Sequence, residues 1–202
     1  TNIDRDFFED VTYEGISSSN GQNVIEKFPL QSELDKMESK ILKISNDFTR
    51  NRNRTIFNIL KGTGLRKSEL IGLDIQNVCL NAEIPYIKVI GKGKYREEEA
   101  RTVYLSGSVN DELSKWIKYR NDMADIHKWD INGERLLERG VDGIFDRYGN
   151  GITPHMMRHY YISVTRKIDE VFTKQQVGHA LGITEGTYTN AVYDKKDILA
   201  NM

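Results

Sequence analysis

The feature that most limits how this chain can fold is a change of hydrophobic period near its middle. From Pro29 to Gly62 the apolar residues recur at helical spacing, and from Ser108 onward they do so again. Between these stretches, residues 86–90 and 101–105 are β-rich and alternate, with Ile87 and Val89 facing one way and Tyr86, Lys88 and Ile90 the other. The polar stretch 91–100 joins them, so a hairpin is expected, with residues 77–80 as a third strand. A small sheet set among many helices gives an α+β class, mainly α-helical with a small three-stranded antiparallel sheet.

The helical parts can be bounded from their punctuation. From Pro29, Ser32 is expected to cap a helix with Asp35 as the second half of the pair, and Leu34, Met37, Ile41 and Leu42 share one face. A second helix carries Ile56, Phe57 and Leu60 and stops at Gly62 and Gly64. Arg66 then stands at the mouth of a corner leading to Leu70, Ile71 and Leu73. Ser108 and Asp111 suit a capping pair for a helix with Leu113, Trp116 and Ile117 inward, lasting to about Ala124. Further helices are expected over 134–147, from Thr153 as cap and Pro154 at the first helical position, over 171–181, and from Thr184 to about Tyr193. No internal repeat is visible.

Residues 1–28 hold Gly15, Ser17, Ser18, Ser19, Asn20 and Gly21, a composition suited to a flexible connection, so they are read as a linker ahead of one domain at 29–202. Because the first residue is Thr1, the chain is expected to be a piece of a longer protein. The single cysteine, Cys79, rules out an intrachain disulfide and fits a reducing compartment. No apolar run approaches the roughly 20 residues of a membrane span, and the amino terminus lacks a signal-peptide layout. A cytoplasmic protein is the expectation.

Twenty-nine basic against thirty acidic residues leave a net charge of −1, which argues against a nonspecific coat for nucleic acid. Any phosphate site must be a local patch, such as Arg50, Arg52 and Arg54, or Lys88, Lys92, Lys94, Arg96 and Arg101. Three of the four histidines, His155, His159 and His179, fall in the last quarter. His155 and His159 at i and i+4 have the spacing of zinc ligands, but Met156 stands where a catalytic glutamate belongs and Arg158 would oppose a cation. Gly62, Gly64, Lys67 and Ser68 fail as a phosphate loop because Arg66 precedes the lysine. No nucleophile elbow for a serine hydrolase is present. A helix-turn-helix between Thr173 and Tyr193 is compatible with the spacing, yet it leaves the other clusters unexplained.

One chemistry uses them together: attack of a nucleophile on a phosphodiester. Arginines supply planar forks for nonbridging oxygens, a lysine can protonate a leaving oxygen, imidazoles handle protons, and a tyrosine can carry a covalent intermediate. Such a reaction requires neither metal nor ATP, because the covalent bond conserves the energy.

The sequence Gly62-Thr63-Gly64-Leu65-Arg66-Lys67-Ser68-Glu69-Leu70 resembles the tyrosine recombinase box that presents the first catalytic arginine, with Glu69 as its accompanying acid. Gly91-Lys92-Gly93 resembles the family's lysine turn, Thr153 through His159 its H-x-x-R helix, and Gly178-His179 its later histidine. Tyr188 stands nine residues after His179, as the family's nucleophile does. Singly, each of these residues suits an ordinary structural role. Five boxes in family order, spanning residues 29 to about 194, carry the resemblance.

The resemblance implies a DNA-breaking-and-rejoining catalytic fold at 29–202, with residues 1–28 a linker or the remnant of an upstream DNA-binding domain. It implies Arg66, Lys92, His155, Arg158, His179 and Tyr188 as catalytic residues, Lys67, Lys94, Arg96 and His159 near DNA, and His159 as a support for its helix. Double-stranded DNA would be the partner, a tetramer on synapsed DNA the assembly, and the fragment alone a monomer. Lys94 competes with Lys92, since residues 95–100 lengthen the turn, and Tyr193 is the rival nucleophile. Only residues 194–202 could form the terminal helix with which family members dock on a neighbour. Type IB topoisomerase chemistry and a noncatalytic DNA-binding regulator are the alternatives.

Overall fold

The computed structural model describes residues 29–91, 100–127, 136–165 and 168–178. In chain order these form helices α1 (Gln31–Leu42), α2 (Asp47–Thr63) and α3 (Lys67–Ile71), then a 3₁₀ turn at Ile75–Asn77. Strands β1 (Val78–Cys79), β2 (Tyr86–Val89) and β3 (Arg101–Tyr104) follow, and then α4 (Gly107–His127), α5 (Glu138–Tyr148), α6 (Pro154–Thr165) and α7 (Glu170–Val177). The sheet is antiparallel in the order β1-β2-β3, with Ile87 opposite Val103 and Val89 opposite Arg101. The expected class and the alternation of β2 are both borne out: Ile87 and Val89 are buried, while Lys88 and Ile90 are exposed.

The long helix α2 is the axis of the domain, packed by α1, α4 and α6. Asn46 caps its start by accepting from the Thr49 N–H at 2.8 Å, and Gly64 ends it in the left-handed conformation at φ 61°. A Cβ at Gly64 would lie 2.5 Å from Cδ1 of Tyr161, so α6 approaches the end of α2 too closely for any side chain there. Phe57, Leu60 and Leu65 join Leu34 and Met37 of α1 and Met157 of α6 in one core.

Several expected boundaries move. Ser32 does not cap α1. The helix begins at Gln31, and the Glu33 carboxylate accepts from the Leu30 N–H at 2.9 Å instead. Leu42 is exposed, because the face defined by Leu34, Met37 and Ile41 has rotated past it. Ser108 lies inside α4, which starts one residue earlier. In α5 the helix starts at Glu138, with residues 136 and 137 non-helical. Thr153 caps α6 as expected, its hydroxyl accepting from the Met156 N–H at 3.2 Å ahead of Pro154. Finally, α7 ends at Val177, where Gly178 turns left-handed, rather than running on to 181.

Candidate active site

Arg66 is the last of three residues between the end of α2 and the start of α3. Leu65 is fully buried and anchors the corner, which leaves the Arg66 side chain 40% exposed at its mouth. Glu69, one turn into α3, folds back on it: its two oxygens accept from the Arg66 backbone N–H at 2.8 Å and from Arg66 Nη1 at 2.9 Å. This is half of a capping box, put to work on an arginine.

The same carboxylate receives a second arginine. Arg101, at the start of β3, donates from Nη1 to Oε1 at 2.8 Å and from Nη2 to Oε2 at 3.0 Å. Burial by itself would raise the Glu69 carboxyl, whose side chain is 1% exposed. The bonds and charges of Arg101 and Arg66 outweigh that and hold it below the usual carboxylate range. Glu69 is therefore ionised at neutral pH and serves as the shared counter-charge of two guanidiniums.

Arg158 lies on the inward side of α6 and is buried. Its Nη1 donates to the Gly64 carbonyl at 2.7 Å and its Nη2 to the Val177 carbonyl at 2.6 Å, so it joins the ends of α2 and α7. Burial, together with the Arg66 and Arg101 charges and against the pull of Glu69, brings it down to about 10. It remains cationic at neutral pH. Three guanidiniums against one carboxylate leave this cluster two positive charges in excess, which suits a phosphodiester.

His155 is exposed on α6, and its ring meets that of His159 edge to face at 4.4 Å between centroids. Lys67 turns away toward α5, where it bonds Asp142 at 2.7 and 2.8 Å and pairs with Glu138 at 3.3 Å. Lys92, Lys94, Arg96, His179, Tyr188 and Tyr193 lie outside the described residues, as does the expected helix 184–193. Two other tyrosines are set aside by their surroundings. Burial, with the Asp35 charge, pushes the Tyr160 phenol up to about 12, and burial pushes that of Tyr161 up as well. Neither can ionise readily. Among the described residues, no three His, Cys, Asp or Glu side chains converge as metal ligands.

Sequence reasoning placed Arg101 only in a basic cluster and missed its pairing with Glu69. The one available signal was its position at the opening of β3, on the return strand of the lysine hairpin.

The phage integrase family profile matches residues 34–196. The chain belongs to the phage integrase family. This bears out the resemblance read from the boxes, and the matched segment contains every box residue from Gly62 to Tyr188. The chain is 28% identical over 194 residues to tyrosine recombinase XerC of Vibrio cholerae, covering 91% of this chain and 58% of the relative. It is 30% identical over 155 residues to XerC of Neisseria gonorrhoeae, covering 71% of this chain and 48% of the relative. It thus spans about half the length of these relatives. Among solved structures, the XerH site-specific recombinase bound to its difH substrate in a pre-cleavage complex matches with TM-score 0.59 at 22% identity, over 87% of this chain and 51% of that one. The XerA recombinase matches with TM-score 0.59 at 20% identity, over 87% and 60%. The fold of the chain is therefore that of tyrosine recombinases.

Proposed function

We propose that this chain is the catalytic domain of a site-specific DNA recombinase that cleaves and rejoins duplex DNA through a 3′-phosphotyrosine bond. The observation that supports it best is the gathering of Arg66 and Arg158, remote in sequence, around the corner that follows α2, with Arg101 sharing one ionised acid, Glu69, with Arg66. A phosphate entering there is met by Arg66, the most open guanidinium, and its charge offsets the mutual repulsion that now weighs on Arg158.

In this reading the Tyr188 oxygen attacks the scissile phosphorus and displaces the 5′ oxygen, leaving a 3′-phosphotyrosine and a 5′ hydroxyl. Arg66 and Arg158 stabilise the charge that builds on the nonbridging oxygens. Lys92, with Lys94 as its competitor, donates the proton that the leaving oxygen takes up. His155 and His179 take the phenol proton or add hydrogen bonds, and His159 supports His155 through their ring contact. A free phenol has a pKa of about 10, so the surrounding cations must favour its ionised form during attack. Lys94 and Arg96 contact the DNA backbone. Lys67 reaches it only by giving up Asp142. Neither metal nor ATP takes part. The whole protein works in the cytoplasm as a tetramer on synapsed DNA, and this domain alone is monomeric.

The test uses a duplex selected by the full-length protein from random-sequence DNA and nicked so that the cleaved end diffuses away. Wild type should give a covalent protein–DNA adduct on a denaturing gel, and Tyr188→Phe should give none. Binding without an adduct would favour a regulator. An adduct without exchange between two marked duplexes would favour a type IB topoisomerase.

A further inference from the structure

We propose that Arg101 is a positioning residue of the cleavage reaction, one side chain that sets the orientation of Arg66 through Glu69 and fixes the end of α7 from which the chain runs on to His179 and Tyr188. The inference rests on the recombinase reading. It goes beyond it by giving a role to a residue outside the recognised boxes.

Three contacts carry it. The Arg101 guanidinium meets both Glu69 oxygens as a fork, and Glu69 has the Arg66 backbone and guanidinium on those same oxygens. Its remaining donor, Nε, reaches the Gln176 carbonyl in the last turn of α7 at 3.0 Å, one residue before the carbonyl that Arg158 holds. Gly178 sits against the same side chain, so close that a Cβ would lie 3.0 Å from Arg101 Cδ. Arg101 also pairs with Val89 across the hairpin, three residues before Lys92. The guanidinium thus ties the first arginine to the end of α7, and the backbone that carries it belongs to the base of the lysine hairpin. A lysine has the charge but a single donor centre, and cannot make this set of bonds.

The test is single-turnover cleavage of the nicked duplex by the full-length protein, alongside duplex affinity and a thermal melt. Arg101→Ala should slow cleavage roughly 10- to 100-fold while the Kd for the duplex stays within about threefold. Arg101→Lys should remain at least about tenfold slow. In an Arg66→Ala background, the further loss of Arg101 should cost less than it does in wild type, because the arginine it orients is gone and only its hold on the end of α7 is left to lose. Full restoration by lysine, wild-type cleavage by Arg101→Ala, or costs that simply multiply in the double variant would overturn the proposal. If Arg101→Ala does not fold, the lysine variant decides by the same criterion. Absence of a covalent adduct with wild type sinks the recombinase reading instead, so the two failures are distinguishable.

Discussion

Arg158 and Gly64 are 94 residues apart in sequence, and a 2.7 Å hydrogen bond from the guanidinium to the glycine carbonyl joins them. The bond ties the helix carrying the second arginine to the turn that presents the first, Arg66. Its other arm holds the Val177 carbonyl, so the same side chain links the two turns that flank the cluster.

Replacing Arg158 should therefore affect both rate and folding. Arg158→Ala is expected to lower single-turnover cleavage by roughly 100- to 1,000-fold or more, the usual cost of a lost charge-stabilising donor. It also leaves two carbonyls without their donor and should lower the melting temperature. Arg158→Lys should recover little of the rate, since one ammonium cannot replace a fork that spans two carbonyls. Cleavage at the wild-type rate by either variant would show that Arg158 does not hold the phosphate.

Glu69 makes acid stability a readout of the cluster. Its carboxyl is held below the ordinary range, so the stabilisation is fully present above the unfolded value of about 4.3 and is lost as pH falls through the lower folded value. Thermal melts between pH 3 and 7 should show this loss in wild type and a flatter acid limb in Glu69→Gln. At neutral pH, Glu69→Ala should destabilise by about 3 kcal/mol, because Arg66 and Arg101 lose their common partner.

Gly64→Ala tests the close approach of α6 to the end of α2. The backbone there has φ 61°, and the new Cβ would meet Cδ1 of Tyr161 at 2.5 Å. Strain and overlap together should cost about 2 kcal/mol or more, a fall in melting temperature of roughly 4–8 °C. An unchanged melt would mean that the two helices are not so closely apposed.

Tyr161→Phe should run the other way. The Tyr161 hydroxyl is buried without a hydrogen-bond partner among the described residues, and the ring is 1% exposed. Removing an unsatisfied hydroxyl while keeping the ring should leave stability unchanged or raise it by about 1 kcal/mol. Cleavage should continue, since the proposed nucleophile is Tyr188. A large loss of stability would reveal a partner for the hydroxyl.

Much of this protein could be read without coordinates. The alternation around Ile87 and Val89 determined a strand and its buried face, Gly64 determined where α2 ends, and Thr153-Pro154 determined where α6 begins, because each depends on backbone preferences a few residues long. The order of the boxes carried the family and named Arg66, Glu69 and Arg158. What the sequence left open was which charges meet. Nothing local says that Arg101 closes on Glu69 across 32 residues, that Lys67 is drawn to Asp142 across 75, or that Arg158 gives two of its five N–H donors to Gly64 and Val177. Those pairings exist only once α2, α6, α7 and the sheet have packed. Burial then leaves Arg158 with almost no water to bond and obliges it to take the nearest carbonyls, while Arg101, largely covered, closes on the buried carboxylate.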